Sequence, residues 1–284
     1  MTRRARVSLI TAASVPVVLY LGMIGCFMRA EPSLVYRPSR EIRLFDPAFR
    51  NDVRAVTLAS EDGTRLSARI LRSGSGSSRW IFLLPANAGN TSTHQHWWRA
   101  VHSAGANLFT LDYRGFGDSD GTPSERGLYS DATAGYRYLV EREHVAPADI
   151  ILYGHSLGSA VAIDLAARLP VAGLIVEGAM TSIPAVGQEK YPFLPVSLIA
   201  TNRFDSMAKI AAVGCPKLFF HAREDRRVPF RQAEQLYELA TEPKELVPLN
   251  GDHTSAITLD GALIVERIRV FLQTSLHHDR RSAW

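Results

Sequence analysis

The first pattern along the chain is an unbroken apolar one. From Val7 to Met28, 22 residues carry no charge, and Val, Leu and Ile dominate them. As a helix this length crosses a hydrocarbon core of roughly 30 Å, and Pro16 is tolerated because membrane helices accept proline. Arg3, Arg4 and Arg6 precede it. By the positive-inside rule they hold the N-terminus in the cytoplasm and send the rest of the chain to the non-cytoplasmic side. Residues 1–30 are therefore read as a retained signal-anchor. A cleaved secretory signal would have only Met28-Arg29-Ala30 as a cleavage site, which is a poor one. A lipoprotein signal would use Cys26, since Met23-Ile24-Gly25-Cys26 loosely resembles a lipobox.

Residues 31–51 hold three prolines and mixed charge, as a connecting segment would. Beyond them short β-rich runs alternate with helical periods. Val53–Leu58 and Leu66–Leu71 read as strands joined at the Asp62-Gly63 turn. Ser73 to Ser78 reads as a hairpin or surface loop. Strands follow at Trp80–Leu84, Leu108–Asp112, Ile150–Tyr153, Leu174–Val176, Lys217–Phe220 and Glu245–Leu249. Helices are expected at Thr93–Ser103, Leu157–Leu169, Arg231–Ala240 and Ile257–Gln273. Another is expected after Thr122-Pro123-Ser124-Glu125, read as a capping box with proline at the first helical position. Residues of about 180–205 look irregular, and 277–284 form a polar tail. The alternation predicts an α/β domain over 52–276, with a parallel sheet covered on both faces and a site at the carboxyl ends of its strands.

Composition changes the picture only by exclusion. The net charge of +4 suggests nucleic acid, but residues 1–30 hold four arginines and no acid. The body from Glu31 then balances 28 basic against 28 acidic residues, which leaves no general electrostatic hold on nucleic acid. The two cysteines, Cys26 and Cys215, exclude a disulfide framework and a cysteine-based zinc site. Asp112 and Asp118 have no neighbouring ligand set, so no metal is expected, and no cofactor.

The chemistry follows predicted strands. Gly154-His155-Ser156-Leu157-Gly158 fits G-x-S-x-G between a strand and a small-residue helix, where a sharp turn exposes the serine hydroxyl. The plain alternative is a strand-to-helix turn with a capping serine. A serine needs a base and the base needs a carboxylate, in the chain order Ser, acid, His. Of nine histidines, His253 alone is both late in the chain and in a strand-to-helix loop. His155, next to the serine, is read as structural. For the acid, Glu224 and Asp252 compete with Asp225, and chain spacing favours the loop at 223–228 and Asp225 within it. The oxyanion of an acyl-transfer intermediate needs aimed N–H donors. The backbone of Leu157 supplies one, and the loop Pro85 to Asn90 the other, at Asn87 with Ala88 as the neighbouring choice.

These segments together resemble the α/β-hydrolase superfamily, in particular its membrane-anchored Bem46-like and ABHD-type serine hydrolases. The likeness runs from about Leu34 to Phe271. It is carried by Leu34-Val35-Tyr36-Arg37-Pro38, Asn87-Ala88-Gly89-Asn90, Asp112 to Gly121, Pro123-Ser124-Glu125, Gly154 to Gly158, Phe204-Asp205-Ser206, Asp225 to Pro229 and Gly251-Asp252-His253. The resemblance implies an eight-stranded, mostly parallel sheet with a short cap, the triad Ser156, Asp225 and His253, and an N-terminal membrane anchor. Two positions depart from the family pattern. Pro85-Ala86 stand where His-Gly is usual before the oxyanion loop, and His221-Ala222 stand for His-Gly before the acid.

The segment Tyr191 to Ile199 is apolar and an anchor lies nearby. Both suit a carboxylic ester with a lipid-like acyl group, or an acyl thioester, cleaved through an acyl-enzyme on Ser156; the apolar cap fits plain core covering equally well. A peptidase fits less well, because no second large domain gates a peptide. The alternative from another class is a membrane-tethered, non-catalytic binding or scaffold protein on the same fold.

Overall fold

Five apolar runs are buried at every position: Trp80–Leu84, Asn107–Leu111, Ile150–His155, Gly173–Glu177 and Lys217–Ala222. Strands buried on both faces belong to the middle of a parallel sheet covered by helices on each side. The computed structural model describes residues 3–74 and 76–279. Its elements are helix α1 (Arg3–Val35), strands β1 (Val53–Ala59), β2 (Arg65–Leu71) and β3 (Trp80–Leu84), α2 (Gln95–Ser103), β4 (Asn107–Leu111), α3 (Glu125–Glu141), β5 (Ile150–His155) and α4 (Leu157–Arg168). They continue with β6 (Gly173–Glu177), α5 (Ile183–Lys190), α6 (Val196–Ile199), β7 (Lys217–Ala222), α7 (Phe230–Leu239), β8 (Lys244–Leu249), α8 (Ala256–Leu259) and α9 (Gly261–Asp279).

The eight strands form one sheet in the order β8-β7-β6-β5-β3-β4-β2-β1. Only β1 on β2 and β2 on β4 are antiparallel. The Asp62-Gly63 turn makes the expected hairpin, pairing Ala59 with Arg65. Trp97, Trp98, Ile264 and Phe271 pack one face, from α2 and α9. Leu128, Leu139, Val161 and Leu236, from α3, α4 and α7, pack the other. Strand order reverses around β3, so the loops after β3 and β5 diverge there. That crevice at the carboxyl ends is where such sheets hold their ligands.

Several expectations shift in detail. The run 73–78 joins β2 to β3, which do not pair, so it is a loop and not a hairpin; Ser75 lies outside the described residues. The stretch 180–205 is not irregular but carries α5 and α6. Ser182 caps α5, its side chain accepting from the Ala185 N–H, and Pro184 sits in the first turn, where a missing N–H costs nothing. The cap of α3 is Ser124, not Thr122: Ser124 Oγ accepts from the Gly127 N–H. Glu125 then opens the helix and spends its carboxylate on the Arg203 and Phe204 N–H groups, tying α3 to the chain returning from the cap. The last helical stretch breaks at Asp260, whose carboxylate accepts from the Asn250 N–H. Helix α9 runs to Asp279, past the start of the polar tail, and 280–284 lie outside the described residues.

Helix α1 continues beyond residue 30 to Val35. Among the described residues, Ser14–Val35 is a stretch long and apolar enough to cross a membrane, and it is almost entirely unburied by the rest of the chain.

Candidate active site

The turn from β5 into α4 forces Ser156 to φ 54° and ψ −117°, a conformation that L-residues rarely adopt. It holds because the surroundings over-determine it. The Ser156 N–H donates to the Glu177 carbonyl at 2.8 Å, and Ser159 Oγ donates to the Gly154 carbonyl at 2.8 Å. Both motif glycines are required by close approach. A Cβ on Gly158 would strike the Leu84 and Pro85 carbonyl oxygens, and one on Gly154 would strike Gly158 and Ser159. A capping serine would accept a hydrogen bond from its own helix. Ser156 makes no such bond, and its Oγ lies 2.8 Å from His253 Nε2.

His253 sits in the loop between β8 and α8. Its Nδ1 is 2.5 Å from Asp225 Oδ2. An acceptor there places the ring proton on Nδ1 and turns the Nε2 lone pair toward Ser156. Asp225 Oδ1 accepts from the Arg227 and Val228 N–H groups at 2.8 and 2.9 Å. Burial works against charge on Asp225, but the hydrogen bonds, led by that from His253, prevail and hold its carboxyl below the usual carboxylate range. The structure therefore brings Ser156, Asp225 and His253 together. It does not bring the competing acids. Glu224 is exposed, and Asp252 turns away to accept from the Thr254 and Ser255 N–H groups of its own turn.

Leu157 opens α4 with its N–H at the helix N-terminus, and Asn87 lies on the facing loop after β3. That loop is sewn to the end of α1. Asn87 Nδ2 donates to the Val35 carbonyl at 2.7 Å, the Arg37 N–H donates to the Asn87 carbonyl at 2.8 Å, and Ala88-Gly89 pairs in parallel with Arg37-Pro38. Its far end is clamped by Asp112, which accepts from the Thr91 N–H and hydroxyl at 2.6 and 3.2 Å. Asp112 thus serves as a brace. Burial raises its carboxyl to about 6, over the opposing bonds from Thr91. A folded-state value above the unfolded one, about 3.9, means that the folded chain binds this proton more tightly. Its contribution to stability is full below about pH 4 and is lost as pH rises through 6. Relative to Asp112→Asn, the wild type is expected to lose about 2–3 kcal/mol of unfolding free energy between pH 4 and pH 7, read by urea titration. The bond lost by the substitution adds only a pH-independent offset.

Three residues support the site from behind. Glu177, at the end of β6, is buried and accepts from Trp97 Nε1 at 2.7 Å and Tyr153 Oη at 2.5 Å, and burial raises its carboxyl. His155 lies between Trp97 and His253, with ring centroids 4.3 and 5.4 Å away. Burial pushes it well below the usual imidazole range, so it is a neutral packing partner, as expected. His221 donates from Nε2 to the Val228 carbonyl at 2.7 Å and so closes the loop that carries Asp225. Glu177 ends β6 and Gly178 follows it, the position that pointed to Ser156 and His253, but neither residue type suggested a role.

Beneath α5 and α6 lies a cavity of about 520 Å³ that exposes Ser156, Leu157 and His253. Small-molecule sites have roughly 300–1,000 Å³. A model of the Hydrolase_4 family, serine aminopeptidase S33, matches residues 79–243, which include Ser156 and Asp225. The chain belongs to this hydrolase family. As an S33-type α/β-hydrolase it is similar to the uncharacterized protein MT2364 of Mycobacterium tuberculosis, 34% identical over 88% of this chain and 90% of that one. It is also 34% identical to the lysophosphatidylserine lipase ABHD12 of Danio rerio, over 64% of this hydrolase and 52% of that protein. Among solved structures, the Pyrococcus furiosus esterase Pf2001 superposes with a TM-score of 0.70 at 20% identity, covering 84% of this hydrolase and 98% of the esterase. At that identity the likeness is one of fold.

Proposed function

We propose that this hydrolase is a membrane-anchored serine esterase that cleaves carboxylic esters, and acyl thioesters by the same route, with Ser156, Asp225 and His253 as its triad. The observation that carries the reading is the relay Asp225–His253–Ser156 at 2.5 and 2.8 Å on a strained turn. Ser156 Oγ attacks the ester carbonyl carbon as His253 Nε2 takes the hydroxyl proton. The carbonyl π electrons move onto oxygen, where the N–H groups of Leu157 and Asn87 are the proposed donors. Collapse re-forms the carbonyl, breaks the bond to the leaving alcohol or thiol, and returns the proton from Nε2 to it. Water then attacks the acyl-enzyme, gives a proton to Nε2, and the carboxylic acid leaves with Ser156 Oγ–H restored. The ionised Asp225 stabilises the imidazolium in both halves.

The charge around the cavity favours an ester over a peptide's free amino end. An α-ammonium needs an unspent carboxylate. The two acids lining the cavity are already engaged: Glu31 with Thr201 and Asn202, and Glu189 with Arg231 and Gln232. Arg37, Lys190, Arg226 and Arg227 line it as well. Helix α1 supports membrane attachment, with the N-terminal arginines cytoplasmic and the catalytic domain on the opposite side.

The decisive experiment is labelling with a fluorophosphonate, which needs an activated serine. Label on the peptide containing Ser156 is expected. An unlabelled protein that also leaves every ester intact would move the reading to the non-catalytic alternative.

A second expected result concerns Gly178. It has φ +58°, and a Cβ there would lie 3.0 Å from His253 Cε1 and 3.2 Å from Nδ1. Gly178→Ala should push the imidazole off both partners. Misplacement on the scale of 1 Å costs about 10²-fold, so kcat for a soluble ester should fall about that much with KM little changed.

A further inference from the structure

The anchor helix is not only a tether. Residues Phe27, Leu34 and Val35 of α1 line the cavity that contains Ser156, facing Ile183, Val186 and Val196 from the cap. The two walls are fastened most densely at Glu31. The Glu31 carboxylate accepts from the Thr201 and Asn202 N–H groups at 3.0 and 2.9 Å and from the Thr201 hydroxyl. Val35 also holds Asn87. Removing α1 would therefore open one side of the cavity and release the loop beside the serine.

The contacts also fix depth. Tyr20 Oη donates to the Phe193 carbonyl at 3.0 Å, and Phe27 meets Tyr191 edge-on at 5.3 Å. Tyr20 lies eight residues inside the apolar stretch that ends at Met28. At 1.5 Å per residue that is about 12 Å along the helix axis. A helix that spans a core of roughly 30 Å thus carries the cap tip with it, below the bilayer surface. The surface of that tip agrees: Phe193 is 61% exposed and Leu198 83%, and Val18 and Leu19 of α1 are exposed at 65% and 68%. In water such a patch would be costly, whereas in hydrocarbon it is ordinary. The cations Arg37, Arg226 and Arg227 line the same cavity and suit the polar end of a substrate.

We infer that the slot between α1 and the cap is an acyl-chain subsite that opens into the leaflet, so that an amphiphilic ester reaches Ser156 sideways from the membrane. This rests on the serine-esterase reading and names its substrate as an ester whose acyl chain is already held in a bilayer. Phe27 is then a specificity-determining residue, and Phe193 and Leu198 set the cap into lipid without touching substrate.

The test uses the full chain reconstituted in phosphatidylcholine vesicles. Ester hydrolysis is measured across p-nitrophenyl esters of four to sixteen carbons. Phe27→Trp should narrow the slot and lower the sixteen- to four-carbon ratio of kcat/KM by about tenfold or more, the scale on which pockets discriminate chain size. Leu198→Asp should slow hydrolysis of a sixteen-carbon ester embedded in the vesicle while leaving the rate on the soluble four-carbon ester unchanged. Phe193→Trp should gain indole fluorescence that is quenched by lipids brominated on their acyl chains. Wild type that labels with fluorophosphonate, with an unaltered chain-length ratio in Phe27→Trp and an unquenched indole at 193, would overturn the subsite and leave the esterase standing. Wild type that neither labels nor hydrolyses any ester would overturn the esterase reading and the subsite with it.

Discussion

Replacing Ser156 by alanine is expected to lower kcat for a soluble ester by about 10⁴-fold or more, and to abolish fluorophosphonate labelling. The size follows from what remains. On the proposed mechanism, removing the nucleophile leaves the oxyanion donors and binding alone, and these retain only a small share of the acceleration. Substrate affinity should change little, because the hydroxyl removed is small and faces the reacting carbon. The variant should also fold as the wild type does. Alanine at φ 54° bears the same backbone strain as serine, so the loss cannot be assigned to unfolding. Ser156→Gly sharpens the point. Glycine adopts such a conformation freely, so this variant should be equally inactive yet more stable than Ser156→Ala by about 1 kcal/mol. Thermal unfolding beside an ester assay separates the two effects. Residual turnover within tenfold of wild type in either variant would sink the role given to Ser156.

How much of this was readable from residues alone depends on how local each cause is. The strand runs, the Asp62-Gly63 hairpin and the G-x-S-x-G turn are decided within a few residues, and they stand where pattern put them. The order Ser156, Asp225, His253 was legible because each follows a strand of a parallel sheet, whose carboxyl ends converge in space. What separates Asp225 from Glu224 and Asp252 is different. Asp252 is consumed by its own turn and Glu224 points to solvent, facts of side-chain direction that spacing does not encode. The cap was misread for a related reason. Helices α5 and α6 have eight and four residues, too short to show a helical period among so many apolar positions. The cap of α3 moved from Thr122 to Ser124 because Glu125 is drawn to the backbone at 203–204, a partner nearly eighty residues away. The seam between α1 and the cap is likewise long-range. Glu31 looked like the start of a linker, and only its partners Thr201 and Asn202 show it as a fastening.

The largest expected effect on stability comes from Arg114, in the segment that resemblance marked as framework. Its guanidinium donates to Asp131 at 2.7 Å and to Asp62 at 2.8 Å, and its backbone N–H donates to Asp131 at 2.8 Å. The Asp131 side chain is fully buried. Room for the pair is made by Gly127: a Cβ there would strike Arg114 Cδ and lie 2.6 Å from Nε. This explains a glycine inside a helix, where it otherwise costs about 1 kcal/mol. Burial raises the Asp131 carboxyl even with Arg114 beside it. Arg114→Met should therefore leave a buried carboxylate facing apolar atoms and cost about 3–5 kcal/mol. At about 2–4 °C per kcal/mol for a domain of this size, melting should fall by roughly 10 °C. Asp131→Leu placed on top of it removes the stranded charge and should recover much of the loss, since apolar replacements of a buried pair are often near neutral. Equal destabilisation in the single and double variants would show that the guanidinium works through packing and its hydrogen bonds to Asp62 and to Ser60 Oγ, 3.1 Å away, not through its hold on Asp131. Neither Arg114 nor Asp131 lines the cavity that holds Ser156, so folded Arg114→Met should keep its kcat on a soluble ester at temperatures well below its midpoint.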